Sequence, residues 1–598
     1  MDRRRFYERI NLFVYDNRES ALRFINRLSW LFWIAGVAIV TYFQGFSHQI
    51  YGYTLLLWAF WRVLDFFILR FVLRMFLSLS LKQFLRDSRT EKWIVLLLLF
   101  DHLFYWISGI NFFTGVLPFI DIGIYFGFLQ LLFGFLLFAE IGTLVFESSK
   151  LKLNPALLLA LSFIFLIVAG ALFLHLPEMT ITGRISWIDA FFTSTSASCV
   201  TGLSVLNTGS EFTFKGQMVI LVLIFIGGLN MLTIATFIGS LYHKTGSLHA
   251  AGVIKGFLDS DQSANLHAIL RNVILYAVVI QVFGVILIFF SWGNGYPFNN
   301  VSDRLYYSVF HAISAFNNAG FSLFTDGFYD DSLRYNYTLH LSVALLIIVG
   351  GIGFLVLQDV FAFNNRMERK TQSWKKLLVN TRLVLYVTLI LLIGGTVMFM
   401  LFEYRNTLNE HSFSGKLVTA FFQSVTTRTA GFNTVDFSSI SGPTLLVCLL
   451  LMFVGASPGS TGGGIKTTTI AVAFKAAWAN LRGREHVEFF QRNIPWAYVN
   501  KTYAVLISAF SLLLLFTLLM AGIERDFPLR DIVFEVVSAF GTVGLSMGIT
   551  PDLSDGGKLI LIFAMYVGRI GSLTLGLALT RKILYTKYRY PDTRLMIG

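Results

Sequence analysis

Long apolar runs broken by short polar stretches dominate the chain from residue 28 onward. A helix rises about 1.5 Å per residue, so about 20 apolar residues cross the hydrocarbon core of a bilayer. Runs of that kind lie near 28–47, 51–78, 93–112 and 117–140, then near 155–176, 214–241, 271–292, 338–363, 381–403, 443–480, 500–523 and 557–583. They predict twelve spans. Between the members of each later pair sits a different segment. Residues 186–204, 302–322, 412–433 and 529–546 each hold an apolar stretch of about ten residues, then a turn rich in Gly, Thr and Asn. Ten residues cannot cross a bilayer, and such segments read as re-entrant loops.

The four segments form an internal repeat. They read SCVTGLS at 198–204, FNNAGFS at 316–322, TRTAGFN at 427–433 and FGTVGLS at 540–546, with central glycines 118, 111 and 113 residues apart. One isolated glycine commonly serves only close packing of membrane helices. Four in register behind truncated helices point to a shared role. A K⁺ ion that sheds its water needs backbone carbonyls instead, and a ring of four chain segments supplies them in layers. Glycine reaches the dihedrals that turn carbonyls inward and leaves the bore free of side chains. The expected filter residues are Val200, Thr201 and Gly202; Asn318, Ala319 and Gly320; Thr429, Ala430 and Gly431; and Thr542, Val543 and Gly544. Each short helix would aim the negative end of its dipole at the centre, which favours a cation.

Composition narrows the class. Of 598 residues, 55% are hydrophobic and only 14% charged, with a mean hydropathy of +0.68, which excludes a set of water-soluble domains. The net charge of +13 lies in basic residues between apolar runs, as in loops on the cytoplasmic side of a membrane, and not in a nucleic-acid-binding face. Nineteen Lys and Arg residues fall on one side of the repeats against nine on the other, which turns the filters outward and leaves both termini cytoplasmic. Cys199 and Cys448 both lie in apolar stretches, so neither a disulfide framework nor a cysteine metal site is expected. Ten histidines are scattered without ligand spacing, and no enzyme chemistry is expected. The start, Met1-Asp2-Arg3-Arg4-Arg5, lacks the short apolar stretch and cleavage site of a removable signal peptide.

With these motifs the chain resembles the Trk/Ktr/HKT superfamily of potassium transporters, nearest its KtrB (TrkH-type) branch. The four glycine segments carry the resemblance, together with GASPGSTGGGIKT at 455–467, GRIGSLTL at 568–575 and the tail 588–598. It covers about 155–598. The resemblance implies an all-α membrane protein with four pseudo-symmetric repeats around one pore, which moves K⁺ through the bacterial plasma (inner) membrane. It implies a homodimer and a cytoplasmic KtrA/TrkA-type (RCK) subunit that holds the nucleotide, ATP or ADP. Na⁺ stimulation goes with the family. The alternative is a Na⁺/K⁺-permeable transporter or a secondary symporter with the same filter. Inverted repeats in paired halves would mark a symporter, whereas these repeats run parallel. The domains expected are an accessory membrane domain of four spans at 1–150, pore repeats at 151–260, 261–370 and 371–495, and a fourth repeat with the tail at 496–598.

A Gly-rich run and several buried basic residues add detail. The run at 455–464 interrupts an apolar segment; it is no phosphate loop, because Ile465 and not glycine precedes Lys466. With the resemblance it reads as an intramembrane gate under the third filter, involving Gly459, Gly462, Gly463, Gly464 and Lys466. Arg569 lies inside the last span, where a charge costs at least ~2.5 kcal/mol and is functional by default. The family pattern places it below the filter as an electrostatic barrier and gate partner. Arg428, within the third filter segment, is expected to brace that segment against an acid or a carbonyl. In the second span Arg62, Arg70 and Arg74 hint at a voltage-sensing ladder, but Arg62 and Asp65 stand three apart and can pair.

Overall fold

The computed structural model describes residues 3–47, 50–78, 80–108, most of 125–140, 155–243, 266–293, 296–361 and 377–579. The basic loops 244–265 and 362–376 and the tail beyond 579 lie outside the described residues. Two compact units make up the chain, Met1–Lys152 and Leu153–Gly598.

The first unit contains α1 (Arg3–Gly45), α2 (Ile50–Phe76), α3 (Leu81–Asp87) and α4 (Arg89–Ser108), with further helical residues within 125–140. Helix α1 starts well ahead of the apolar run at 28, because the Arg-rich stretch before it contains no Gly or Pro to stop a helix. Phe60, Leu64, Phe67, Leu98, Phe126 and Phe133 form its core. The suspected ladder on α2 is paired throughout: Arg62 with Asp65 at 3.0 Å, Arg70 with Glu140 at 2.5 Å and Arg74 with Glu91 at 3.8 Å. Arg70 is 1% exposed, and a charge buried that deeply needs its counter-charge. Arg70 and Arg74 thus tie α2 to other helices, whereas Arg62 pairs within α2 itself.

In the second unit one arrangement recurs four times: a long helix, a short helix, a glycine loop and another helix. The first set is α5 (Pro155–Leu174), α6 (Trp187–Ser198) and α7 (Phe214–His243). The second is α8 (Leu266–Ser291), α9 (Val301–Phe316), α10 (Tyr337–Ile352) and α11 (Phe354–Phe361). The third is α12 (Val379–Glu403), α13 (Phe413–Thr426), α14 (Gly442–Phe453) and α15 (Thr467–Leu481). After a hairpin of β1 (Val487–Phe489) and β2 (Arg492–Ile494), the fourth is α16 (Trp496–Ile523), α17 (Leu529–Gly541), α18 (Asp555–Ile570) and α19 (Ser572–Leu579). The short helices run 12 to 16 residues, below the length of a span.

Over its described residues the second unit is all-α apart from one hairpin, in which Phe490 and Gln491 both adopt positive φ and close the two-residue turn between β1 and β2. Not all of the spans are unbroken. Among the described residues five helices are long and apolar enough to cross a membrane, and one helix pair that together has that length and apolarity is bent by 98°. That bend, between α10 and α11, falls at Gly353 (φ +102), and α18 stops against α19 at Gly571 (φ +89). A residue at such φ cannot continue a helix, so the expected runs 338–363 and 557–583 are each broken. Residues 454–466 separate α14 from α15.

The repeats close into a ring. One apolar cluster joins repeats one and two through Val200, Phe310 and Ala319; another joins two and three through Trp292, Phe328 and Phe422. Phe399, Phe534 and Val543 join three and four, and Phe192, Leu203 and Leu561 join four back to one. Polar ties reinforce the seams, such as Tyr306 Oη donating to Gln217 Oε1 at 2.7 Å and Arg334 paired with Glu410 at 2.8 Å. The closing seam carries an ion pair, Lys558 Nζ to Asp189 Oδ1 at 2.8 Å, with side chains 11% and 18% exposed. Lys558→Met leaves Asp189 without its cation, at an expected cost of about 2 kcal/mol, and should lower the unfolding temperature in detergent. Adding Asp189→Leu should recover most of that loss; an unchanged temperature in the single variant would show the pair to be idle.

Candidate functional site

The short helices α6, α9, α13 and α17 deliver four loops whose backbones share one geometry. Val200, Asn318, Thr429 and Thr542 adopt positive φ (58°, 59°, 80° and 51°), and so, two residues on, do Gly202, Gly320, Gly431 and Gly544 (96°, 69°, 80° and 91°). Among the described residues only two other non-glycines do so, both in the hairpin turn. A left-handed Val or Thr is costly and persists only where its surroundings enforce it. Successive carbonyls of an extended strand point to opposite sides, and alternating the sign of φ swings them to the same side.

The hydrogen bonds account for the other half of each peptide. The N–H groups of Thr201, Ala319 and Val543 bond back to Ser196, Ser314 and Ser538 O at 2.8 Å, and that of Ala430 to Thr426 O at 2.9 Å. With N–H groups turned outward to the helix ends, the carbonyls of Thr201, Ala319, Ala430 and Val543 accept no hydrogen bond among the described residues. Those carbonyls converge. A Cβ on Gly202 would strike Ala319 O, one on Gly320 would lie 2.7 Å from Ala430 O, one on Gly431 would lie 2.6 Å from Val543 O, and one on Gly544 would strike Thr201 O. The order one, two, three, four and back to one is a closed ring of glycines and carbonyls.

Hydroxyls that sequence reading passed over pin each loop to its helix. Ser196 Oγ and Ser538 Oγ accept from Gly202 N and Gly544 N at 3.1 Å, while Ser314 Oγ and Thr426 Oγ1 donate to Phe321 O and Phe432 O at 2.8 and 2.7 Å. Their sequence signal is a Ser or Thr five or six residues ahead of each glycine. All four glycines open into one cavity of about 570 Å³. Its only charged lining residues among those described are Asp326 and Asp436.

Against the other side of the ring lies the loop 454–466. A Cβ on Gly462 or Gly463 would strike Thr429 Oγ1 or Thr542 Oγ1, which puts the loop directly against the third and fourth glycine loops. Gly464 (φ +67) passes close to Gly541 O. Gly459 O accepts from Phe354 N at 3.0 Å, Ser457 N donates to Gly351 O at 3.1 Å, and Thr461 Oγ1 donates to Phe316 O at 3.1 Å. Lys466 Nζ donates to Gly462 O at 2.8 Å. Arg569, 2% exposed, donates from one terminal nitrogen to Thr461 O and from the other to Gly227 O at 2.7 Å. It thereby links repeats one, three and four at one point, without a carboxylate partner among the described residues. Arg428 is different. It is buried and lines a small cavity with Asn318, Thr388 and Ala456, yet its guanidinium makes no hydrogen bond or ion pair among the described residues, so the expected brace is absent.

Comparison with known proteins gives this arrangement a lineage. The TrkH family profile, described as cation transport protein, matches residues 153–587. The chain belongs to that family. It is 37% identical to Ktr system potassium uptake protein B of Vibrio alginolyticus over 76% of this chain and 97% of that protein. It is 39% identical to the protein of the same name from Bacillus subtilis, over 75% and 97%, and 35% identical to potassium/sodium uptake protein NtpJ of Enterococcus hirae, over 76% and 100%. In fold it is similar to the crystal structure of the potassium transporter TrkH from Vibrio parahaemolyticus, with a TM-score of 0.59, 19% identity, and coverage of 73% of this chain and 87% of that one. The chain is thus a multi-pass membrane protein of a KtrB-like transporter family. The family match begins where the second unit begins and does not extend over the first.

Proposed function

We propose that the chain is the K⁺-translocating subunit of a potassium uptake system, with the four glycine loops as its selectivity filter. The ring of Thr201, Ala319, Ala430 and Val543 carbonyls around Gly202, Gly320, Gly431 and Gly544 carries this reading. A cation entering from the cavity exchanges water for these fixed oxygens, which need no reorganisation to receive it. Four short helices end behind the loops and add the negative ends of their dipoles. The two aspartates at the cavity wall favour cation entry. Positive-inside charge bias supports an orientation with that cavity outside the cell and the loop 454–466 and both termini on the cytoplasmic side, and we take the membrane to be the bacterial plasma membrane.

In this reading the loop with Gly459, Gly462, Gly463, Gly464 and Lys466 is an intramembrane gate, and Arg569 is the positive barrier and latch beneath the filter. Fixed positive charge at that point opposes a dehydrated cation until the loop moves. Movement would be commanded by a cytoplasmic nucleotide-binding subunit of the KtrA/TrkA type, on a homodimer in which each protomer has its own pore. The name of the Enterococcus hirae relative adds Na⁺ as a second ion to be tested. The assay is growth and ion uptake in a bacterium stripped of its own K⁺ uptake. The chain, supplied with such a subunit, is expected to restore growth at low K⁺; absence of any K⁺ flux would overturn the assignment.

A further inference from the structure

Glu535 sits in the middle of α17, wholly buried, and belongs to no ion pair among the described residues. Its carboxylate instead collects the residues that follow the fourth glycine. It accepts from Ser546 Oγ at 2.5 Å, from Met547 N at 3.0 Å and from Thr550 Oγ1 at 2.9 Å. Ser546, Met547 and Thr550 all line the cavity into which the glycine ring opens. These three hydrogen bonds favour the charged form of the carboxylate and offset part of the cost of burying it. The nearest acid along the helix, Asp531, is occupied by Arg530 at 3.0 Å.

The other repeats mark this position as special. Nine residues ahead of each ring glycine stand Thr193, His311, Phe422 and Glu535. In repeat two His311 Nε2 lies 3.2 Å from Ser322 Oγ, two residues past Gly320, just as Glu535 reaches Ser546, two residues past Gly544. Repeats two and four stand opposite each other in the ring, so facing loops carry the same tie, one through an imidazole and one through a carboxylate. Thr193 makes no such bond, its Oγ1 having no partner among the described residues, and Phe422 has no polar side-chain atom to offer. Buried Arg569 and half-buried Lys466 supply the positive charge on the far side of the ring.

We propose that Glu535 is a positioning residue that acts electrostatically, its charge setting the affinity of the outermost cation site while its hydrogen bonds hold the fourth loop's exit in register. This role rests on the filter reading above. At an effective dielectric of about 20, one charge acting over roughly ten ångström changes cation binding by on the order of tenfold.

The test is K⁺ uptake by the full chain in the uptake-deficient strain, with its regulatory subunit and with membrane abundance measured alongside. Glu535→Gln removes the charge and keeps an acceptor; Glu535→His copies the neutral tie of repeat two. Both are expected to raise the K⁺ KM about tenfold while leaving the maximal rate per molecule within about twofold. Ser546→Ala, which keeps the charge, is expected to move KM much less. A purely structural role would lower the rate or abundance at constant KM in all three, and that result would overturn the proposal. Should one charge-removing variant fail to reach the membrane, the other decides. Gly320→Ser in the same assay separates the failures. If it destroys K⁺ preference while both Glu535 variants keep the original KM, only this inference falls; if it too is silent, the filter reading falls with it.

Discussion

Gly202→Ser or Gly320→Ser is expected to lower the preference for K⁺ over Na⁺ at least tenfold and to cut K⁺ uptake by a similar factor. The effect is steric before it is chemical. A Cβ on Gly320 would lie 2.7 Å from Ala430 O and 2.9 Å from Gly431 Cα, and one on Gly202 would strike Ala319 O. Those neighbours are backbone, so neither clash is relieved by a side-chain rotation. Each glycine also holds a positive φ, which costs a side chain roughly 1 kcal/mol or more. The neighbouring carbonyl must therefore move, and it is a proposed ligand of the ion. Displacing one oxygen of a set tuned to a dehydrated K⁺ removes the match that a smaller Na⁺ lacks. Gly394→Ser serves as the control, since nothing lies within 4 Å of a Cβ there. Paired uptake of K⁺ and Na⁺ reads the result; unaltered ion preference in both ring variants would remove the ring from the transport path.

The second large effect is at Arg569. Arg569→Gln is expected to raise K⁺ flux in proteoliposomes about tenfold in the absence of any regulatory subunit, through two losses at once. The positive charge beneath the ring disappears, and so does the clamp joining Thr461 of the loop to Gly227 of repeat one. Arg569→Lys separates them, because an ammonium keeps the charge but cannot reproduce the guanidinium's fork. An intermediate flux in the lysine variant would assign part of the barrier to each. Deleting residues 459–464 should release the loop without touching the charge and raise flux or uncouple it from the nucleotide. Unchanged flux in Arg569→Gln and in the deletion, with an unchanged response to the nucleotide, would rule out a gate at this place.

Much of this was legible in the sequence because the relevant signals are local. Backbone groups in hydrocarbon must bond within their own segment, so each long helix announces itself as an unbroken apolar run. A ring built of backbone needs glycine at fixed positions, and four copies in one chain leave a visible period. Charge in lipid is costly, which makes Arg569 conspicuous within its apolar run. Less visible were the breaks at Gly353 and Gly571. Glycine is common inside membrane helices, and at Gly353 it is a distant segment that marks the bend: Pro458 O occupies the space where a Cβ would be.

By itself, then, the sequence determined a polytopic membrane chain, its four repeated short segments, and the glycines that form the ring. Tertiary structure alone decided what meets what. The cyclic order of the glycines rests on contacts between loops more than a hundred residues apart, and no local pattern encodes which carbonyl faces which glycine. Glu535 reads as an ordinary polar residue of an amphipathic helix until the fold brings Ser546, Met547 and Thr550 onto its carboxylate. Arg428 looked equally suited to bracing a loop, yet the fold leaves its guanidinium without a partner among the described residues. The physical reason is the same in each case. A buried charge is defined by the groups that surround it, and those are chosen by packing between distant segments, not by neighbours along the chain.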